Sequence, residues 1–232
     1  MKILIVLTSH AELGDTGHKT GFWLEEFVAP YYAFVDGGAT VTLASPAGGQ
    51  PPVDPRSTEP ESQTEATRRF EQDSPAQAQL ANTLPLAQIN PEDYDAIFFA
   101  GGHGPMWDLA SSEVSAGLVE AFYRQGKVIG AVCHGPAALV LAKDEQGRSI
   151  LEGKRVTGFT NEEEAAVELD QVVPFALETR LAELSGQFVG GEKFQPNVVT
   201  DGNLITGQNP PSSEPTAKAV MQALAQADLI KA

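Results

Sequence analysis

Hydrophobic residues along the chain occur either in short continuous runs or at helical spacing. Continuous runs, such as residues 2–7 (KILIVL) and 95–100 (DAIFFA), are typical of strands buried on both faces. Further strands are predicted at 40–43, 127–132, 155–159, 188–189, 198–200 and 204–206, and helices at 20–34, 113–125, 174–184 and 213–229. Pro30, inside the first of these helices, predicts a kink or an early stop. The alternation predicts an α/β fold, with a mostly parallel sheet covered by helices on both faces.

Residues 45–91 differ from the rest of the chain, because they hold eight of the sixteen prolines and few large apolar side chains. One interpretation is a low-complexity linker. We favour an excursion with two short helices, near 61–71 and 75–84, because Phe70, Leu80 and Leu84 need a surface on which to bury. We therefore predict a single domain over residues 1–232 that carries this excursion.

Composition narrows the classes of protein and partner. A length of 232 residues is enough for one sizeable α/β domain, and a formal net charge of −16 argues against nucleic acid or an anionic membrane surface as a partner. A single cysteine excludes an internal disulfide and fits a reducing compartment. The first apolar run is too short for a signal peptide or a spanning helix. We therefore expect a soluble cytoplasmic protein.

The only cysteine lies in residues 127–139 (KVIGAVCHGPAAL), where a buried strand is predicted to break sharply into a helix. This arrangement would place the thiol of Cys133 at the positive end of that helix, which favours the thiolate. A lone cysteine is more often a small buried hydrophobic residue. However, the loops at 8–10 and 101–103 also follow strands, and sites in open α/β sheets form at the carboxyl ends of strands. We therefore favour a nucleophile.

Candidate partners of the thiol each have a structural alternative. His134 is either a base beside the sulfur or a half-exposed residue at a helix start. The acidic residues at 161–164 (NEEE) supply either a carboxylate for His134 or ordinary charges at a helix N-terminus. The glycines of 101–104 (GGHG) either present backbone N–H groups to an oxyanion or make a tight turn. No phosphate-binding loop follows them.

Two further groups of residues bear on the site. His10 and His18 lack a second ligand at metal spacing, so the sequence does not favour metal binding there. Met106 and Trp107, just past the glycines, either wall a pocket or pack in the core.

Four segments occur together and in order: FFAGGHGPMWDL, AVCHGPAAL, VTGFTNEEE and LITGQNPPSS. With them, essentially the whole chain resembles the ThiJ/PfpI superfamily. More narrowly, it resembles the branch of heat-shock chaperones and glutathione-independent glyoxalases (glyoxalase III). The resemblance implies a flavodoxin-like three-layer sandwich, related to class I glutamine amidotransferases.

The resemblance also implies roles for particular residues. Cys133 would be the nucleophile, His134 its triad partner and Glu164 the acid. Glu26 would be a buried glutamate that hydrogen-bonds the cysteine, although periodicity alone places it on the solvent side of its helix. The backbone amides of Gly102 and His134 would bind an oxyanion. From their place in and after the glycine loop, we add Gly101, His103 and Trp107 as candidates that line the substrate site.

The implied activity is the conversion of methylglyoxal, or a related small aldehyde, to lactate without glutathione, cofactor or metal, in a homodimer. The alternatives are a holding chaperone, an oxidative-stress sensor with an oxidisable thiol, and a PfpI-type peptidase. Glutamine amidotransferases draw their base from a histidine near the C-terminus. Because no histidine follows His134, glutaminase chemistry is disfavoured.

Overall fold

A seven-stranded sheet forms the centre of the fold in the computed structural model, which describes residues 1–231. Its strands are β1 (Lys2–Val6), β2 (Thr40–Ser45), β3 (Leu84–Pro85), β4 (Ala96–Phe99), β5 (Val128–Val132), β8 (Val198–Asp201) and β9 (Leu204–Gly207). Their order is β3-β2-β1-β4-β5-β9-β8, and only the β8–β9 pair is antiparallel. Two short strands, β6 (Arg155–Val156) and β7 (Gln187–Phe188), form a separate parallel pair.

Helices cover the sheet. They are α1 (Leu24–Asp36), α2 (Glu65–Glu71), α3 (Ser74–Leu80), α4 (Glu113–Arg124), α5 (Asn161–Ala166), α6 (Leu177–Ser185) and α7 (Ser213–Lys231). The β1–β2 and β4–β5 connections run in opposite directions across the sheet, so right-handed crossovers place α1 and α4 on opposite faces. Helix α7 packs beside α1 and against β5. The predicted α/β sandwich with helices on both faces is confirmed. No helix among the described residues is long and apolar enough to span a membrane.

Helix α1 continues through Pro30 to Asp36, so the proline does not stop it. A proline inside a helix removes one backbone hydrogen bond. Here the apolar side of α1 offsets that loss, because Phe27, Tyr31 and Phe34 are all buried against the rest of the core.

The excursion at 45–91 is a packed part of the domain. Both predicted short helices are present, as α2 and α3, and Phe70 and Leu80 are buried. The expectation that Leu84 is buried is wrong, because this residue is 41% exposed. Leu84 lies in β3, the edge strand, which has a neighbour on one side only.

Two leucines of the excursion give a test of this packing. Leu80→Ala should lower the free energy of unfolding by about 2–4 kcal/mol, because it removes a buried side chain and leaves a cavity. Leu84→Ala should change it by less than about 1 kcal/mol, because that side chain is already exposed. Urea denaturation measures both values. Equal small effects would contradict a packed excursion.

Candidate active site

Loops after β1, β4, β5 and β9 converge at one edge of the sheet, because these four parallel strands are neighbours. The β4 loop begins with Gly101 and Gly102, and Cys133 follows β5 directly. The sheet therefore brings the glycines and the cysteine together at its carboxyl edge, as the sequence predicted.

Cys133 occupies a sharp backbone turn. Its φ is +60°, a left-handed value that is uncommon for a residue with a side chain. The turn is held on both sides, since the Cys133 N–H donates to the Gly207 carbonyl and the Phe159 N–H donates to the Cys133 carbonyl, each at 2.9 Å. Gly135 has no room for a side chain, since a Cβ there would come within 2.4 Å of the Phe99 carbonyl oxygen. These contacts stabilise a nucleophile elbow.

The environment of the thiol differs from the sequence-based expectation. The α-helix predicted after Cys133 is a 3₁₀-helix of five residues, Gly135–Leu139, which offers little helix dipole. Burial raises the pKa of the Cys133 thiol above its ordinary value. The Cys133 thiolate therefore lacks the helix dipole that was expected to favour it, and burial opposes it.

Glu26 is fully buried in the first turn of α1, so the periodicity of the helix misplaces it. Neither carboxyl oxygen has a hydrogen-bond partner of good geometry among residues 1–231, although Cys133 and the backbone of Gly101 are its polar neighbours. Burial raises the pKa of Glu26 well above its usual value. Burial thus favours the neutral carboxylic acid at Glu26, the form in which this side chain can lie near the sulfur without charge repulsion.

His134 and Glu164 complete a triad with Cys133. The His134 Nδ1 atom lies 3.4 Å from the sulfur, and its Nε2 atom lies 2.6 Å from Oε2 of Glu164. Burial opposes ionisation of Glu164, but the charges and hydrogen bonds of His134 and His103 outweigh it and lower the pKa of Glu164. An ionised Glu164 accepts the His134 Nε2–H, which leaves Nδ1 free to accept the thiol proton.

The ring of His103 lies beside this triad. Its Nε2 atom is 2.6 Å from Oε1 of Glu164, and its ring centroid is 4.1 Å from that of His134. Its Nδ1 atom faces the Arg56 guanidinium at 3.3 Å. Both ring nitrogens are thus engaged by protein groups, so the substrate contact expected of His103 does not come from a free ring nitrogen.

Backbone N–H groups near the sulfur suit an oxyanion. In the part of the chain that the structure describes, the N–H groups of Gly102 and His134 donate to no other protein group. Gly102 has φ +97°, and a Cβ there would lie within 2.5 Å of the Trp23 nitrogen. The loop therefore requires glycine at this position, and the Gly102 N–H remains without a protein acceptor among the described residues.

The ligand atoms of His103, His134 and Glu164 lie within 4.8 Å of one another, a spacing that a metal ion could also use. Each histidine, however, directs its Nε2 atom at a different oxygen of Glu164 at hydrogen-bond distance. The geometry is therefore that of two histidines sharing a carboxylate. Trp107 lies further out, where its ring stacks on His10 with 5.1 Å between centroids.

Comparison with known proteins agrees with this geometry. The family model described as "DJ-1/PfpI family" matches residues 18–223. The chain belongs to the DJ-1/PfpI family. It is 30% identical over 234 residues to a glutathione-independent glyoxalase of Saccharomyces cerevisiae. The alignment covers 96% of this chain and 98% of the relative.

Two solved structures of the family superpose closely. Glyoxalase III from Candida albicans has 30% identity and a TM-score of 0.89, and covers 96% of this chain and 97% of the other. The rapid encystment protein of 24 kDa from Francisella tularensis has 40% identity and a TM-score of 0.92. The superposition covers 96% of this chain and 98% of the other.

Two residues of this DJ-1/PfpI site were not singled out individually from the sequence. Glu163, next to Glu164, is a buried carboxylate that accepts hydrogen bonds from Thr160, Phe194, Gln208 and Asn209. It ties α5 to the segment after β9, and the LITGQNPPSS motif was the available signal. Arg56, which contacts His103, lies in the excursion, and no motif marked it.

Gly101 gives a test of how closely Glu26 and Cys133 pack against the glycine loop. A Cβ there would overlap Oε2 of Glu26 and lie 2.9 Å from the Cys133 Cβ. Gly101→Ala should therefore lower the free energy of unfolding by about 1–3 kcal/mol. In the control, Gly117→Ala, a Cβ on α4 meets nothing within 4 Å, so it should stabilise the protein by about 0.4–1 kcal/mol. Thermal unfolding measures both, and a neutral Gly101→Ala would contradict the close approach of Glu26.

The ionisation of the Cys133 thiol is tested by the pH dependence of its alkylation. Because burial raises the pKa of Cys133, its thiolate fraction should still be rising above the ordinary thiol pKa of 9.0. The rate of alkylation by iodoacetamide, followed by mass spectrometry, should therefore increase with pH through pH 9. A plateau below pH 7 would instead indicate a stable thiolate.

Proposed function

We propose that this protein is a glutathione-independent glyoxalase that converts methylglyoxal and water to lactate. The observation that carries the proposal is the neutral, buried Glu26 placed against the nucleophile of a Cys133–His134–Glu164 triad. This set holds a nucleophile, a base and a second proton-exchanging acid, which an internal redox reaction of a dicarbonyl needs. Two relatives of nearly full length carry the names glutathione-independent glyoxalase and glyoxalase 3.

The reaction begins with addition of the sulfur to the aldehyde carbon, C1. The thiol proton passes to Nδ1 of His134, and Glu164 stabilises the imidazolium that forms. The C1 oxygen becomes an oxyanion, which the N–H groups of Gly102 and His134 accept. Glu26 then gives its proton to this oxygen, and the product is a hemithioacetal.

The second step moves hydrogen between the two carbons. Glu26, now a carboxylate, removes the C1 proton, while the C2 carbonyl oxygen receives the proton held by His134. The resulting enediol is protonated at C2 by Glu26, and the hydroxyl on C1 returns its proton to His134. C1 is thereby oxidised to a thioester and C2 is reduced to an alcohol, so no external oxidant or reductant is needed.

Water then completes the reaction. It adds to the thioester carbon with the Glu26 carboxylate as the base, the carbon–sulfur bond breaks, and the sulfur takes its proton from the His134 imidazolium. The products are lactate and the free Cys133 thiol, which restores the resting site.

Burial of the site favours a small substrate. Cys133 is 3% exposed and His134 is fully buried, so a folded or extended peptide cannot approach the sulfur without opening the loops. This observation favours an aldehyde over the peptide bond of a PfpI-type peptidase. Assignment to the cytoplasm, which rests on the single cysteine and the reducing compartment that it fits, and to a homodimer, which rests on the resemblance, belongs to the same proposal.

The nucleophile is tested by Cys133→Ser. Purified protein incubated with methylglyoxal, without glutathione, should form lactate, and the serine variant should form none above background because its hydroxyl is a weaker nucleophile. Full activity in Cys133→Ser would overturn the mechanism. No lactate from the wild type would instead favour the chaperone or sensor alternative.

The role of Glu26 is tested by substituting Glu26 and, as a control, Glu25 in the same turn of α1. Glu26→Gln should lower kcat about 10²–10⁴-fold, because the amide cannot exchange a proton with carbon. Glu25→Gln is the matched control: this half-buried carboxylate hydrogen-bonds Thr64 and should leave kcat within about twofold. A kcat of Glu26→Gln within about twofold of the wild type would contradict the role of Glu26.

A further inference from the structure

His103 makes a second hydrogen bond to the catalytic carboxylate, which the proposed reaction does not use. One oxygen of Glu164 pairs with Nε2 of His134 and the other with Nε2 of His103, both at 2.6 Å. An ionised carboxylate only accepts hydrogen bonds, so both histidines must donate through Nε2–H.

Arg56 determines whether the other ring nitrogen of His103, Nδ1, carries a proton. Its Nη2 atom lies 3.3 Å from Nδ1 of His103, and a guanidinium has only donors. Nδ1 of His103 is therefore an unprotonated acceptor, and the ring is the neutral Nε2–H tautomer. Burial, then the neighbouring His134, also lowers the pKa of His103, to about 4.

Asp54 holds the guanidinium in place. Its side chain is fully buried, and its two oxygens accept from Nε of Arg56 at 3.0 Å and Nη2 at 2.6 Å. Asp54 also accepts from the hydroxyl of Thr20. The backbone N–H of Phe22 donates to Pro52 and the Asp54 N–H donates to Phe22, so this segment is fixed beside the glycine loop.

We propose that Arg56, held by Asp54, is a positioning residue that keeps His103 neutral and in its Nε2–H tautomer. The inference rests on the proposed function for its kinetic consequence. A neutral His103 orients Glu164 without competing for its charge, so the full negative charge remains for the His134 imidazolium. A protonated His103 would place a second cation 4.1 Å from that imidazolium and weaken it.

The groups that face His103 define the expected pH effect. They are Glu164 on α5, His134 after β5 and Arg56 on the excursion. Loss of Arg56 removes a cation and frees Nδ1 to take a proton, which raises the pKa of His103. Activity should then fall at a higher pH than in the wild type.

The test uses Arg56→Met, with Arg56→Lys as the conservative variant. The ratio of kcat/KM between Arg56→Met and wild type should fall at least about fourfold between pH 8 and pH 6. Arg56→Lys retains a donor and a cation, so it should restore part of this ratio. Arg69→Met is the matched control, because Arg69 lies on the same excursion but forms an exposed ion pair with Asp36. The ratio of kcat/KM between Arg69→Met and the wild type should not depend on pH.

A second measurement does not depend on activity. In ¹⁵N-histidine spectra, the His103 signal, assigned by its loss in His103→Gln, should show protonated Nε2 and unprotonated Nδ1 in the wild type. At pH 6, Arg56→Met should show protonation at Nδ1. A ratio constant with pH, or an unchanged His103 signal, would overturn the inference and leave Arg56 with a structural role. If the wild type forms no lactate, the proposed function fails, and the ¹⁵N-histidine spectra still decide the inference.

Discussion

The left-handed backbone at Cys133 is the constraint on which the rest of the site depends. A φ of +60° turns the chain by enough to lift the sulfur off the sheet and to place His134 beside it. The conformation is unfavourable for a residue with a Cβ. The surrounding backbone stabilises it, because Cys133 donates a hydrogen bond to β9 and accepts one from the segment after β6. Every other functional group is arranged around that fixed point.

Three glutamates near the sulfur show how environment assigns different states to one side-chain type. Glu26 has no hydrogen-bond partner of good geometry in the described chain and stays neutral. Glu164 faces two histidines and is ionised. Glu163, one residue earlier, is saturated by hydrogen bonds from the loops it joins, so it serves the fold. Carboxyl groups held apart in this way can exchange protons in different directions at a single pH.

Much of this arrangement follows from the sequence. The continuous apolar runs located the buried strands, and strand ends in a parallel sheet brought Cys133 near Gly102. Periodicity failed at Glu26, because a helix pattern assigns charge to solvent and cannot show that a neutral acid is stable beside a thiol. It failed again after Cys133, where good helix formers adopt a 3₁₀ turn because the elbow fixes the chain that precedes them. Packing at Leu84 was likewise decided by its edge strand, a property of topology.

The excursion at 45–91 explains why the site is more extended than a triad. A proline-rich segment has few hydrophobic residues, yet it reaches the carboxyl edge of the sheet through backbone hydrogen bonds to Phe22. It thereby brings a buried ion pair to a histidine that already contacts the catalytic carboxylate. Arg56 pairs with the buried carboxylate of Asp54, which also accepts a hydrogen bond from Thr20, and Arg56 in turn defines the protonation of His103. The stability of the excursion and the electrostatics of the site are therefore one coupled property of this chain.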